Sequence, residues 1–114
     1  LADRARVPAA ALPLGQLRLL AVARALAQRP SVLLLDEPAA GLRAAEKAQL
    51  VAAFNDLKRT DLTQVLVEHD MQFVGSLADR VIVLDRGRVI ADGTPAQVRE
   101  DARVVDAYLG SATL

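Results

Sequence analysis

The fold is decided by residues 31–42, which read Ser-Val-Leu-Leu-Leu-Asp-Glu-Pro-Ala-Ala-Gly-Leu. Four apolar residues, 32–35, lead into two acids, Asp36 and Glu37, and Pro38 ends the run. A short apolar run bounded by prolines predicts a strand buried on both faces, as in a parallel sheet. Ligands of α/β proteins bind at the carboxyl ends of such strands. Because two adjacent carboxylates repel each other, we expect a cationic partner here. The alternative is a buried strand followed by a merely charged turn.

The composition excludes several classes of protein. The 114 residues are enough for one small domain with a single core. The 14 acidic and 14 basic residues balance, so no net charge attracts nucleic acid or anionic lipid. The absence of cysteine and the single histidine argue against a disulfide, a thiolate metal site or a histidine cluster. No signal peptide is visible, and no apolar stretch approaches the roughly 18 residues of a membrane span. Because the chain begins with Leu1 rather than Met, we expect a fragment.

Helix and strand signals alternate along the chain, which predicts an α/β fold with a mainly parallel sheet. Strands are predicted at 32–35, 63–68, 81–84 and 89–91, and helices at 16–28, 43–59, 71–78, from 95 onward and at 101–109. The first helix is apolar around much of its circumference, so we expect it to be largely buried. Asp70 and Thr94 are predicted helix N-caps, and Arg86-Gly87 predicts a tight hairpin connection.

Three polar elements follow one another along the chain: Gly15-Gln16 at a helix start, Asp36-Glu37 at a strand end, and His69 after the next strand. Their order and spacing resemble the carboxy-terminal part of an ATP-binding cassette (ABC), a P-loop NTPase of RecA-like fold. Residues 12–16, Leu-Pro-Leu-Gly-Gln, fall where that family has its signature, Leu-Ser-Gly-Gly-Gln. Residues 32–37 resemble the Walker B strand, residues 39–43 the D-loop, and His69 the switch histidine. The resemblance implies a mainly parallel sheet with flanking helices, followed by a terminal β-hairpin and helices.

Four segments are similar, more narrowly, to the ATP-binding subunits of branched-chain amino acid uptake systems. They are residues 36–42, 68–71, 91–95 and 107–110. This resemblance implies that residues 1–114 are a partial cassette domain, in which residues 89–114 form a carboxy-terminal extension of the branched-chain type.

The resemblance also implies roles for individual residues. Asp36 would hold Mg²⁺, usually through water, and Glu37 would act as the base or orient the attacking water. His69 would contact the γ-phosphate of ATP; the alternative is a histidine that only caps a strand end. The nucleotide-binding residues implied are Pro13, Leu14, Gly15, Gln16 and Gly41. Of these, Gly15 and Gln16 open a helix whose N-terminus can receive the γ-phosphate of ATP held by a second cassette.

Some positions depart from the family pattern. Pro13 stands in place of the usual serine and removes both a hydroxyl and an N–H that could face phosphate. Leu14 replaces glycine or tyrosine, and Arg43 replaces the aspartate that ends the D-loop. The 114 residues contain no Walker A sequence, Gly-x-x-x-x-Gly-Lys-Ser/Thr, and no glutamine loop. We therefore expect this chain neither to bind ATP tightly nor to hydrolyse it by itself.

The function implied is the ATPase component of a branched-chain amino acid importer. Its partners would be a second cassette in a head-to-tail dimer, membrane permease subunits and, indirectly, a periplasmic or extracellular substrate-binding protein. It would be cytoplasmic and peripheral on the inner face of the cell membrane. The rival interpretation is a truncated cassette that serves only as a non-catalytic interaction module. A Walker A upstream in the same reading frame would favour the first interpretation.

Overall fold

A computed structural model describes residues 1–109, which contain five helices and four strands. The helices are α1 (Leu14–Leu26), α2 (Ala44–Leu57), α3 (Met71–Gly75), α4 (Pro95–Glu100) and α5 (Ala102–Val104). The strands are β1 (Val32–Asp36), β2 (Thr63–Val67), β3 (Val81–Asp85) and β4 (Arg88–Gly93). Short 3₁₀ turns lie at Ala2–Arg4 and Ala9–Ala11, and a π turn at Val105–Leu109. The predicted helix end at Gly110 and the rest of the predicted extension, to residue 114, lie outside the described residues.

The chain divides into two compact units, of which the first ends at Phe73 and the second begins at Val74. In the first unit, β1 and β2 pair in parallel, with Val32 opposite Thr63 and Asp36 opposite Val67. Leu50 and Phe54 of α2 are almost completely buried. The side chain of Gln64 on β2 donates to the carbonyl of Phe54 over 3.1 Å, which ties this strand to the end of α2.

The prediction that residues 32–35 are buried on both faces is wrong. Leu33 and Leu35 are buried, but Val32 is 49% and Leu34 is 74% exposed. This alternation is the pattern of a strand that is covered on one face only. In the part of the chain that the structure describes, the sheet of the first unit has two strands, and its second face carries exposed apolar side chains.

The first helix is also less buried than its sequence indicates. Only Gly15 and Val22 of α1 are buried, and its other residues are half-buried or exposed. The helix begins at Leu14, two residues earlier than predicted, because Pro13 takes the N-cap position and Gly15 is accepted in the first turn. An apolar circumference predicts burial only when neighbours surround the helix. Within the described residues α1 is covered along one side.

The second unit is built around the predicted hairpin of β3 and β4, which pair antiparallel. Arg86 and Gly87 both have positive φ, at 48° and 77°, as a two-residue turn of type I′ requires. The sequence predicts a mainly parallel sheet, whereas within residues 1–109 the strand β3 pairs with β4 in a separate, antiparallel two-stranded sheet.

Both predicted N-caps are confirmed. Asp70 Oδ1 accepts hydrogen bonds from the N–H groups of Gln72 and Phe73, each over 3.1 Å. Thr94 Oγ1 accepts from the N–H of Gln97 over 3.2 Å, while Gln97 Oε1 accepts from the N–H of Thr94 over 2.9 Å. This reciprocal pair satisfies two N–H groups that the first turn of α4 would otherwise leave without partners.

The last predicted helix, 101–109, is divided into α5 and the π turn that follows it. Val104 is fully buried, and the hydroxyl of Tyr108 donates to the carbonyl of Leu84. The terminal segment therefore packs on its own unit. In residues 1–109, none of the helices has the length and hydropathy needed to cross a membrane.

Candidate functional site

The parallel pairing of β1 and β2 brings two predicted catalytic residues together. The N–H of Glu37 donates to the carbonyl of Val67 over 2.8 Å, so the ladder continues one residue past the end of β1. Because the strands run the same way, the residues that follow them emerge at one edge of the sheet. There, Glu37 Oε1 lies 3.5 Å from Nδ1 of His69. The predicted pair is therefore adjacent, although 32 positions separate the two residues in the sequence.

The backbone at Glu37 turns its side chain out of the strand pattern. In strict alternation, residue 37 would share the buried face with Leu33 and Leu35. Glu37 instead has a φ of 44°, in the left-handed region that a residue with a Cβ seldom adopts. Its side chain is 53% exposed, and that of His69 is 72% exposed. Local strain thus places the carboxylate where a ligand can reach it.

Glu68 lies between β2 and His69, at the same edge of the sheet. Burial is the main cause that raises the pKa of Glu68, with the charges of Glu37 and Asp70 acting in the same direction and those of His69 and Lys47 against it. Its Oε1 is buried and has no hydrogen-bond partner within the described residues. Clustered carboxylates of this kind favour a cationic partner.

Asp70 has such a partner in its own chain. Lys47 Nζ lies 2.8 Å from Asp70 Oδ2. The hydrogen bond from Lys47 is the main cause that lowers the pKa of Asp70, and the N–H of Phe73 contributes in the same direction. Asp70 therefore serves as a structural cap and ion-pair partner, as its sequence position indicates.

Asp36, the predicted magnesium ligand, ends β1 on its exposed face. Within residues 1–109, no group of three or more His, Cys, Asp or Glu side chains could hold a metal ion. Mg²⁺ is commonly held by one or two carboxylates, with water and substrate phosphates completing its octahedron. Asp36 therefore fits as one carboxylate ligand of a phosphate-bound Mg²⁺, and not as part of a cage made by protein alone.

The five predicted nucleotide-binding residues meet at a second place, the signature cleft. This cleft has a volume of about 570 Å³. Its lining residues are Pro13, Leu14, Gly15, Gln16, Gly41, Arg43, Ala45, Glu46 and Gln49. The strand-end residues Asp36, Glu37 and His69 are not among them. The candidate site therefore has two parts, as expected if each part acts on a different nucleotide.

Two residues that the sequence did not single out hold the walls of the signature cleft together. The N–H of Gly15 donates to Glu46 Oε2 over 3.0 Å, and the N–H of Arg43 donates to Glu46 Oε1 over 3.3 Å. Arg18 Nη2 donates to the carbonyl of Ala40 over 3.2 Å. A glutamate at the third position of a helix is a known signal for the Arg43 bond. No local pattern predicts the bond to Gly15, which lies 31 positions earlier in the chain.

Gln16 has an incomplete set of hydrogen bonds. Its Oε1 is buried, with no partner among the described residues. A carbonyl oxygen can only accept, so this atom does not suit a phosphate, whereas the amide nitrogen of the same side chain does. The predicted nucleotide contact of Gln16 would therefore run through its NH₂ group.

Comparison with known proteins identifies the relatives of this chain. A family described as "Branched-chain amino acid ATP-binding cassette transporter" matches residues 88–113. The high-affinity branched-chain amino acid transport ATP-binding protein BraF of Pseudomonas aeruginosa is 43% identical over 98% of this chain. The energy-coupling factor transporter ATP-binding protein EcfA2 of Streptococcus sanguinis is 48% identical over 76% of it.

The similarity extends to three-dimensional structure. MJ1267, an ATP-binding cassette of an ABC transporter, superimposes with a TM-score of 0.82 at 29% identity over 90% of this chain. These comparisons confirm the resemblance to ABC cassettes and the α/β fold class. The chain spans 44% of the length of BraF, 31% of EcfA2 and 42% of MJ1267.

Proposed function

We propose that this chain, whose fold is that of the carboxy-terminal part of an ABC-transporter ATP-binding cassette, works in the ATPase subunit of a branched-chain amino acid importer. The observation that carries the proposal is the 3.5 Å approach of Glu37 to His69, beside Asp36, at the carboxyl ends of two parallel strands. The similarity to BraF and the family match at residues 88–113 support the substrate class.

The strand-end residues have complementary tasks in this proposal. Bound Mg-ATP would supply the phosphoryl group, and its magnesium ion would supply positive charge that offsets the negative charge of the phosphates. Asp36 binds the metal with its exposed carboxylate. Glu37 accepts a hydrogen bond from the attacking water and polarises it. Because Nδ1 of His69 faces Glu37, Nε2 is the ring nitrogen left to face a phosphate oxygen. It can donate a hydrogen bond there, while Nδ1 donates to Glu37, only when the ring carries a proton on both nitrogens.

The signature cleft acts on a different nucleotide, held by a second cassette in a head-to-tail pair. The first turn of α1 presents the positive end of the helix dipole at Gly15 and Gln16, while the N–H of Gly15 itself is held by Glu46. Gly41 brings the D-loop backbone to the same cleft, with a φ of 75° that favours glycine. The pair of cassettes would bind membrane permease subunits on the cytoplasmic face of the cell membrane and serve a substrate-binding protein indirectly.

Amino acid uptake is the test. Residues 1–114 would be joined to the amino-terminal part of a similar cassette, to give a complete ATP-binding subunit, and expressed in cells that lack their own branched-chain ATPase. We expect this subunit to restore leucine, isoleucine and valine uptake, and its Glu37→Gln variant not to do so. The Asp56→Asn variant, which removes a charge from exposed surface outside both parts of the site, is the control and should restore uptake.

Two other outcomes would contradict the proposal in different ways. Equal uptake with Glu37→Gln would show that residues 1–114 contribute only as a non-catalytic interaction module. Rescue of a sugar or metal importer, without rescue of leucine uptake, would show that the substrate class is wrong while the cassette assignment stands.

A further inference from the structure

Glu46 links two segments of the chain that the proposed function places against nucleotide. The signature segment (residues 12–16) contributes the N–H of Gly15, and the D-loop segment (residues 39–43) contributes the N–H of Arg43. One carboxylate accepts from both, one oxygen for each donor. Hydrogen bonds to a charged acceptor are stronger than those between neutral groups, so these two bonds hold the segments together more firmly than two neutral bonds would.

The donor at Gly15 depends on Glu46. Gly15 is the second residue of α1, where an N–H has no partner inside the helix. Gly15 is also buried, so water cannot easily replace the carboxylate. A Cβ at this position would lie 2.5 Å from Glu46 Oε2, which shows how closely the carboxylate is packed against the backbone.

Two other contacts join α1 to the D-loop segment. Arg18 Nη2 donates to the carbonyl of Ala40 over 3.2 Å, but its Nε is buried without a partner in the described part of the chain. The side chain of Leu14 lies against the backbone of Gly41, since a Cβ at Gly41 would lie 3.3 Å from Leu14 Cδ2. Glu46 and Arg43 are the two charged residues among those that line the signature cleft, and Glu46 is the one that bonds to both walls.

We propose that Glu46 is a positioning residue that fixes the signature segment to the D-loop segment, so that the first turn of α1 is held in place against the D-loop before nucleotide arrives. The functional part of this inference rests on the proposed function. Without Glu46, the two walls of the signature cleft spend only a fraction of the time in the arrangement that binds. The apparent affinity for nucleotide falls by that fraction, whereas the rate of the chemical step does not.

The link itself is tested by hydrogen exchange on the 114-residue chain. In the Glu46→Ala variant we expect the Gly15 amide to exchange about tenfold faster or more, because a buried donor loses its acceptor. Glu46→Gln keeps the size of the side chain and one acceptor oxygen, so its effect should be intermediate. Asp56→Asn removes the same charge from exposed surface of the same helix and should leave Gly15 unchanged. Equal Gly15 exchange in wild type and in both Glu46 variants would overturn the proposal.

The functional readout is ATP hydrolysis by the complete subunit described above. In Glu46→Gln we expect the ATP concentration for half-maximal rate to rise about tenfold, with the maximal rate changed less than about threefold. A lower maximal rate at an unchanged half-saturating concentration would overturn the proposal, since it would place Glu46 in the chemical step. If even the wild-type subunit fails to hydrolyse ATP, the proposed function is wrong, and the exchange rate of Gly15 still decides whether Glu46 makes the link.

Discussion

The two units differ in how completely their polar side chains are paired within the chain. In the hairpin unit, Arg80 makes a two-bond ion pair with Asp92, and Thr94 and Gln97 cap each other. The three buried side-chain atoms that lack a partner in the described chain, on Gln16, Arg18 and Glu68, all lie in the first unit. Native structures rarely leave such groups unpaired without a reason. The comparison is consistent with the proposal that the first unit contains the ligand site, whereas the polar groups of the hairpin unit pair with each other.

The strongest test of this difference between the units is to remove one charge from each and to measure ATP turnover. In the complete subunit, Glu37→Gln should lower ATP turnover by about 10² to 10⁴-fold, because the amide keeps its size but cannot act as a base. Nucleotide binding should persist, since Asp36 still supports the metal. Glu100→Gln, on exposed surface of the second unit, should leave turnover unchanged. A loss of less than tenfold for Glu37→Gln would remove Glu37 from the role of base.

The exposed apolar faces of the strands give a second test. We expect the 114-residue chain to self-associate, because Leu34 is 74% exposed beside the exposed side chains of Val65 and Val67. Burying a leucine is worth about 2 kcal/mol, so Leu34→Lys should weaken association by at least about tenfold. Ile82→Lys, on the exposed face of β3, provides the comparison in the second unit. Sedimentation velocity that shows a stable wild-type monomer at all concentrations would contradict this expectation.

Helix caps allow the two units to be compared in stability. Thr94→Ala should lower the free energy of unfolding by about 1 kcal/mol through the loss of its cap. Asp70→Ala should cost about 1.5 kcal/mol, because Asp70 also pairs with Lys47. Urea denaturation measures both changes. If Asp70→Ala costs no more than Thr94→Ala, the ion pair with Lys47 contributes nothing to stability.

The smallest expected effect is the pH dependence of that ion pair. The folded-state pKa of Asp70 is lowered, chiefly by Lys47, so the stabilisation by its carboxylate is present above the ordinary pKa of about 4 and is lost as the pH falls through the lowered value. Asp70→Asn keeps a good cap but loses the charge. Wild type should be more stable than Asp70→Asn by about 0.5 kcal/mol at neutral pH, with the two converging in acid. A difference that is constant with pH would exclude the ion pair as its source.

Much of the second unit could be predicted from local sequence, because local chemistry determines it. The Arg86-Gly87 turn and the cap at Thr94 depend on residues within a few positions of each other, as does the cap at Asp70 in the first unit. Burial could not be predicted equally well. Leu34 and the outer side of α1 are apolar in sequence but uncovered here, because burial depends on neighbours that a local pattern does not specify.

The candidate site also contains one contact that follows from local sequence signals and one that does not. The adjacency of Glu37 and His69 follows from the parallel pairing of two strands, both of which local sequence signals indicate. The bond from Gly15 to Glu46 joins residues 31 positions apart and involves a side chain that could have met solvent instead. Neither hydrophobic periodicity nor a short motif encodes such a contact. The roles predicted for Asp36, Glu37, His69 and the residues of the signature cleft remain predictions.

The left-handed backbone at Glu37 sets stability and activity in opposition. Asparagine and glycine occupy that region of φ with little strain, so either substitution at position 37 should relieve part of a cost of order 1 kcal/mol. Both would also remove the carboxylate proposed to polarise water. A directed-evolution experiment that rewards thermal tolerance alone would therefore tend to enrich chains that have lost the carboxylate proposed to act in turnover. Retention of glutamate at this position under such selection would show that the left-handed backbone at Glu37 costs the fold little.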